Sequence, residues 1–260
     1  MYSMGKKIII GCIAFVGAIF LIFGIIVTVF VVSDFKQEGK LDAELEELYQ
    51  LSWEFENLDL KEIHIRLNRI VTKDDYAVVE AAMKAYISDI LENNLQITEL
   101  LEDERLVNIL TAENYEDDGP DFSQTKKYIN RMKNAFQECK KVHKELSTED
   151  KMMSYVENQG LDSYYLDFYR ERMAAVTDWD SDKIVEDSLD SMMEIMGVFE
   201  EIIYFLAENQ GSWEVVDGYI TFDNYGLADQ YDELLYGLYD EGIYTEEIPL
   251  EDEEMGLIQL

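Results

Sequence analysis

The sequence predicts a mainly α-helical protein: an N-terminal transmembrane helix, then an antiparallel helical bundle with one small β-hairpin near the C-terminus. Three observations predict it. Residues 8–32 form an unbroken run without a single charge. Beyond it, apolar residues recur at three- and four-residue steps through most of the chain. Only 2 prolines occur, Pro120 and Pro249, and both stand outside those periodic stretches, as expected where proline would break a helix.

The apolar run comes first because everything else hangs from it. A bilayer core of about 30 Å needs about 20 apolar residues of helix, so residues 8–32 are long enough to span with some tilt. A secretory signal peptide has an apolar region of about 7–15 residues, shorter than this one. Cleavage at Val31-x-Ser33 is the alternative. Cys12 follows Ile9-Ile10-Gly11 in the manner of a lipidated cysteine, but there the apolar run should precede the cysteine, and here nearly all of it follows. Lys6, Lys7 and the terminal amine on the short side face Lys36 and Lys40 on the other. The amine and the short tail favour a cytoplasmic N-terminus and an extracytoplasmic bulk. Gly11, Ala14 and Ala18 share a helical face where a second copy of the chain could pack closely as a homodimer.

The expected organisation is a cytoplasmic tail at 1–7, the membrane helix at 8–32 and a juxtamembrane linker at 33–39. An acidic helical domain follows at 40–243, with a hairpin at 213–222, and a disordered acidic tail at 244–260. All 56 acids and 19 of the 21 lysines and arginines follow Ser33, a net charge of −37. That excludes nonspecific nucleic-acid binding, which needs a basic surface, and disfavours lying flat on anionic lipid. Apolar content of 48% is too high for a disordered chain. With one of the 2 cysteines in the apolar run, the rest of the chain cannot form an internal disulfide.

Taken in order, Leu41, Leu45, Leu48, Leu51 and Phe55 predict a helix over 40–57, with Gly39 as the weak point before it. Residues 58–71 alternate ambiguously and read as a short helix. The segment 72–75 looks like an N-cap with acids in the first turn, opening a long helix to about 102 with Val79, Met83, Tyr86 and Ile90 inward. A shorter piece over 105–111 precedes a loop at 114–121, read from its polar composition. Ser123 is expected to cap a helix to Leu146, with Tyr128, Met132, Phe136, Cys139, Val142 and Leu146 on one face. Further helices are expected over 147–160, ending at Gly160, over 161–176, and over 181–208 with Ile184, Leu189, Met196, Phe199 and Leu206 inward. The period then changes. Two short alternating runs flank Asp217-Gly218, a strong hairpin signal. Trp213 and Val215 should share a face with Ile220 and Phe222. A last helix covers 227–238.

The tryptophan, the Asp-Gly turn, the isoleucine–phenylalanine strand and the tyrosine-bearing helix after it make residues 205–235 resemble the C-terminal portion of uncharacterised bacterial proteins. Those proteins are mostly helical, single-pass and membrane-anchored. The resemblance implies that topology and no activity.

Chemistry-bearing constellations are few. Ser123-x-x-Lys126 has the spacing of penicillin-recognising enzymes, yet the Ser-Asp-Asn-like and Lys-Thr-Gly-like segments they need are missing, and a helix cap accounts for it. Cys139 and His143 stand one helical turn apart, as a thiol beside a base would, on a face that reads as buried. With His64 and His143 the only histidines, no catalytic residue or cofactor is assigned. Asp178, Asp180 and Asp182 begin like an EF-hand calcium loop, but Lys183 replaces the required glycine and Leu189 the bidentate glutamate. They remain weak metal candidates. Tyr164, Tyr165, Phe168 and Tyr169, with Tyr219, Phe222 and Tyr225, would suit a sugar-binding platform or, more simply, the core. One basic helix stands out: 123–146 carries Lys126, Lys127, Arg131, Lys133, Lys140, Lys141 and Lys144 against two acids, whereas 181–260 has one base among 22 acids. Either that helix neutralises acidic neighbours in its own domain or it docks an acidic partner.

The functional expectation is a membrane-anchored, extracytoplasmic interaction or sensing module, non-enzymatic, whose partner is another envelope protein. The alternatives are an envelope hydrolase acting on cell-wall material and a membrane-tethered cytoplasmic adaptor.

Overall fold

A computed structural model of the chain describes residues 36–53, 59–174 and 179–240. The helix expected at 8–32, with Cys12 and the Gly11, Ala14 and Ala18 face, lies outside the described residues, as do 54–58 and the tail at 244–260. Among the described residues no helix is long and apolar enough to cross a membrane.

The described chain is mainly helical, with one two-stranded antiparallel hairpin. Its apolar residues gather into two cores strung along two shared helices, α3 (Asp75–Leu101) and α6 (Ser123–Leu146). At 27 residues α3 is about 40 Å long, enough to line both.

The N-terminal core joins α1 (Glu38–Trp53), α2 (Leu60–Asn68), the first half of α3, the end of α6, α7 (Glu149–Ser154) and α8 (Ser163–Met173). Leu41, Leu45 and Leu48 meet Ile63, Met83, Tyr86, Ile87 and Tyr169. Within it lies a buried ion cluster. The Lys84 ammonium donates to Glu80 at 2.7 Å, to Glu44 at 3.1 Å, and to the carbonyls of Arg66 and Arg69 at 2.9 and 2.8 Å. Those carbonyls end α2, where a cation complements the helix dipole. Glu80 accepts from the Val71 and Thr72 amides and from the Thr72 hydroxyl; Glu44 also accepts from Arg69 and Arg66. Burial alone would raise both glutamates, but these donors outweigh it and hold them below the usual range.

The C-terminal core joins the second half of α3, α4 (Glu104–Asn108), α5 (Ala112–Asp118), most of α6, α9 (Trp179–Glu208), β1 (Trp213–Val216), β2 (Tyr219–Phe222) and α10 (Tyr225–Asp240). Its main contact is α6 along α9. Here Lys133 reaches Glu200 at 2.7 Å, Lys144 reaches Glu186 at 2.9 Å, and Lys140 pairs with Asp190. Lys126 stands over the Tyr204 ring. The basic helix thus neutralises an acidic neighbour of its own domain.

The hairpin has the expected register: Trp213 pairs with Phe222 and Val215 with Ile220. Asp217 and Gly218 both take positive φ, as a type I′ turn requires. The shared face of the four side chains packs on the C-terminal core. Trp213 stacks on Phe122 and donates its indole N–H to the Leu206 carbonyl at 2.8 Å. Gly119 makes room for this: a Cβ there would meet Trp213 Cη2 at 3.1 Å and the Tyr115 carbonyl at 2.3 Å.

Several expectations are corrected. The polar stretch read as a loop at 114–121 is largely α5, because Thr111 caps it and Tyr115 buries against Phe122, Trp213 and Tyr231. Ser123 does not cap α6. Asp118 accepts from the Gln124 and Thr125 amides, Asp121 from that of Ser123, and the preceding Phe122 is left-handed and fully buried. Asp74 precedes α3 without a side-chain cap bond. The helix after Thr148 is the short α7, and Gly160 (φ +77°) closes the turn beyond it. Helix α1 begins at Glu38, so Gly39 lies inside it. Ile184 is exposed.

Candidate binding cleft

The two cores meet midway along α3 and α6, which pack against each other, and the seam between them is polar. Leu95 touches both cores, while Asn93, Asn94 and His143 are buried beside it. Over the seam opens a cleft of about 300 Å³, lined by Asp89, Glu92, Asn93 and Gln96 of α3, Val142, Glu145 and Leu146 of α6, and Lys151 of α7. The spacing explains the lining: steps of three and four along α3, and again along α6, project one helical face each into the gap. Val142 and Leu146 supply the apolar part. Glu92 and Glu145 are exposed at the rim.

Polar contacts fix the α7 end. Tyr155 donates its hydroxyl to Asp89, and Lys151 stands 5.2 Å from the centre of the same ring. Burial, then the bond to Asp89, pushes the Tyr155 phenol up, so it stays a donor. Asn93 is 4% exposed and its Oδ1 receives no hydrogen bond. An unfilled buried acceptor is costly in an interior that otherwise satisfies its polar groups.

Cys139 and His143, paired from their spacing, both lie on the buried face of α6. The polar neighbour of the thiol is Gln96 Oε1 at 4.0 Å, and burial, helped by Glu138, pushes Cys139 up. A protonated, enclosed thiol is a poor nucleophile. Ser123 and Lys126 do not act as a pair either, since Lys126 turns to the Asp121 carbonyl and the Tyr204 ring. Asp178 lies outside the described residues, together with the side chains of Asp180 and Asp182. The chain is already helical from Trp179, where an EF-hand would still be looping. Among the described residues no three His, Cys, Asp or Glu side chains gather closely enough to hold a metal ion.

The aromatic platform divides between the cores. Phe168 and Tyr169 are buried in the N-terminal one, and Tyr164, half exposed, donates to Glu38 at 2.6 Å beside Tyr76. Tyr219, Phe222 and Tyr225 belong to the hairpin end, where Phe222 packs inward while Tyr219 and Tyr225 are 59% and 92% exposed. Sequence reasoning missed the cleft because its residues are ordinary helix-surface acids and amides, and only the packing of α3 against α6 assembles them. No protein-family model, curated protein or solved structure matches the chain.

Proposed function

We propose that the chain is a membrane-anchored interaction or sensing module without enzymatic activity, held by residues 8–32 with its helical domain outside the cytoplasm, that docks another envelope protein. The observation that carries this reading is the composition of one end of the molecule. Residues 184–240 contain no lysine or arginine. Three acids of α9 are occupied by α6. Glu194, Glu201, Glu208, Glu214, Asp217, Asp223, Asp229, Asp232 and Glu233 remain exposed beside Val216, Tyr219, Tyr225 and Tyr236. Tyrosine is enriched at protein interfaces, and a one-signed surface steers a partner of opposite sign. A lysine- or arginine-rich segment fits it; a second copy of the same acidic surface would be repelled.

A photo-crosslinking residue placed at Tyr225 in the intact membrane protein should capture a defined envelope protein, while one at Glu149 on the opposite core should not. Equal yields at both positions would refute this surface. The anchor is tested separately, by retention in the membrane fraction after alkaline carbonate washing; recovery of a soluble form beginning near Asp34 would overturn it. Labelling of an engineered surface cysteine in intact cells reads the orientation.

A further inference from the structure

We infer that the partner docked at the hairpin end binds as an extended, lysine-bearing segment that adds a third strand beside β1. This rests on the docking proposed above and gives that docking its geometry. Val216 and Tyr219 flank the Asp217-Gly218 turn, so they exchange both ladder hydrogen bonds, and the exchange recurs at every second pair. The Asp223 amide, donating to the Ser212 carbonyl at 3.1 Å, keeps that alternation. The residues between, Trp213 and Val215 on β1 with Ile220 and Phe222 on β2, therefore turn their backbone N–H and C=O groups outward. Among the described residues no other element bonds to those groups. Buried backbone groups are nearly always paired, so these reach solvent. Such an edge is a template for another strand. On β1 neither proline, lysine nor a bulge blunts it.

Charge selects β1 over β2. Glu214 and Val216 face solvent from β1, whereas β2 carries no acid. Helix α5 touches β1 and adds exposed Glu113, Glu116 and Asp117. A strand beside β1 sets alternate lysines on the face of Glu214, with their methylene stems across Val216. A helical segment has already used its backbone groups internally and cannot pair with this edge.

The test is fluorescence polarisation with the full-length protein in lipid nanodiscs, at about 150 mM salt so that diffuse attraction is screened beyond about 8 Å. The probe is a capped peptide of alternating lysine and valine. Its controls are the same peptide N-methylated at every valine or at every lysine, which keeps the charge and removes one set of strand donors. An added strand uses one set only, so one control should bind about tenfold or more weakly and the other close to the parent. Val215→Pro removes an outward N–H that the hairpin does not use, a change that edge strands tolerate. It should weaken the parent peptide by about tenfold, and Ile220→Pro should not. Should Val215→Pro disturb the hairpin, amide exchange in the wild type reads the same point: the peptide should slow exchange at Val215 and leave Ile220 unchanged. Equal binding of all three peptides, no binding of the parent, or protection at Ile220 instead would each overturn the added strand and leave the docking surface standing. Failure of crosslinking from Tyr225 would remove the surface, and the strand with it.

Discussion

The two cores are specified differently. The N-terminal core encloses charge: Glu38, Glu44, Glu80 and Lys84 are each at most 4% exposed. The C-terminal core keeps its ion pairs on the outside, between α6 and α9, and fills its interior with aliphatic side chains and rings. Its internal polar contacts are single bonds, such as the 3.0 Å contact of the Tyr115 and Tyr231 hydroxyls. Apolar side chains fix shape by packing alone. A buried cation with four acceptors fixes which helix end lies where, since any other arrangement strands a charge. The N-terminal core uses the second device at the end of α2.

That contrast can be broken most directly at Lys84. Lys84→Met leaves Glu44 and Glu80 buried without their shared cation and should cost about 3–5 kcal/mol in urea unfolding. A loss below about 1 kcal/mol would mean that the two cores do not differ as described. Trp213→Ala is the matching change in the other core. Its half-buried indole closes the end against Phe122, and the loss should be about 3 kcal/mol, independent of salt.

pH sharpens the comparison at intermediate size. Glu44 and Glu80 sit below their ordinary value of 4.5 in the folded state. Their contribution is therefore complete above about pH 4.5 and is lost as pH falls towards the folded values. Asp42 acts oppositely, since burial raises it and protonation relieves the folded state. Between about pH 6 and 3 the stability of the wild type should fall, and Glu80→Gln should flatten that fall. An unchanged slope would remove Glu80 from the account. The smallest effect belongs to the external pairs. Lys133→Glu with Lys140→Glu should lower Tm by about 3 °C, because partly exposed pairs contribute little, and added salt should restore part of it by screening. A drop unmoved by salt would point to packing instead.

Much of this was legible in the sequence. Asp217-Gly218 announced the hairpin and its register, because a positive φ at both turn positions leaves little choice of residue. The stripe on α6 was legible because Tyr128, Met132, Phe136, Cys139, Val142 and Leu146 follow one another at steps of three or four. Helix α5 was not, since Glu113, Asn114, Glu116, Asp117 and Asp118 read as loop, and only the burial of Tyr115 decides otherwise. The ion cluster was hidden for a related reason: a charge in a periodic pattern reads as solvent-facing, so Glu80 and Lys84 looked like surface. The cap of α6 misled because Ser123 has the right chemistry, while Asp118 reaches the same amides from five residues earlier. The cleft could not be read at all, because the packing of one helix against another leaves no mark on spacing.

The two shared helices have a thermodynamic consequence. A molecule with two cores ordinarily melts in two steps, one for each. Here α3 and α6 each leave one core only by entering the other, so loosening either core strips its neighbour of two walls. Unfolding should therefore be a single cooperative event, with one calorimetric transition rather than one for each core.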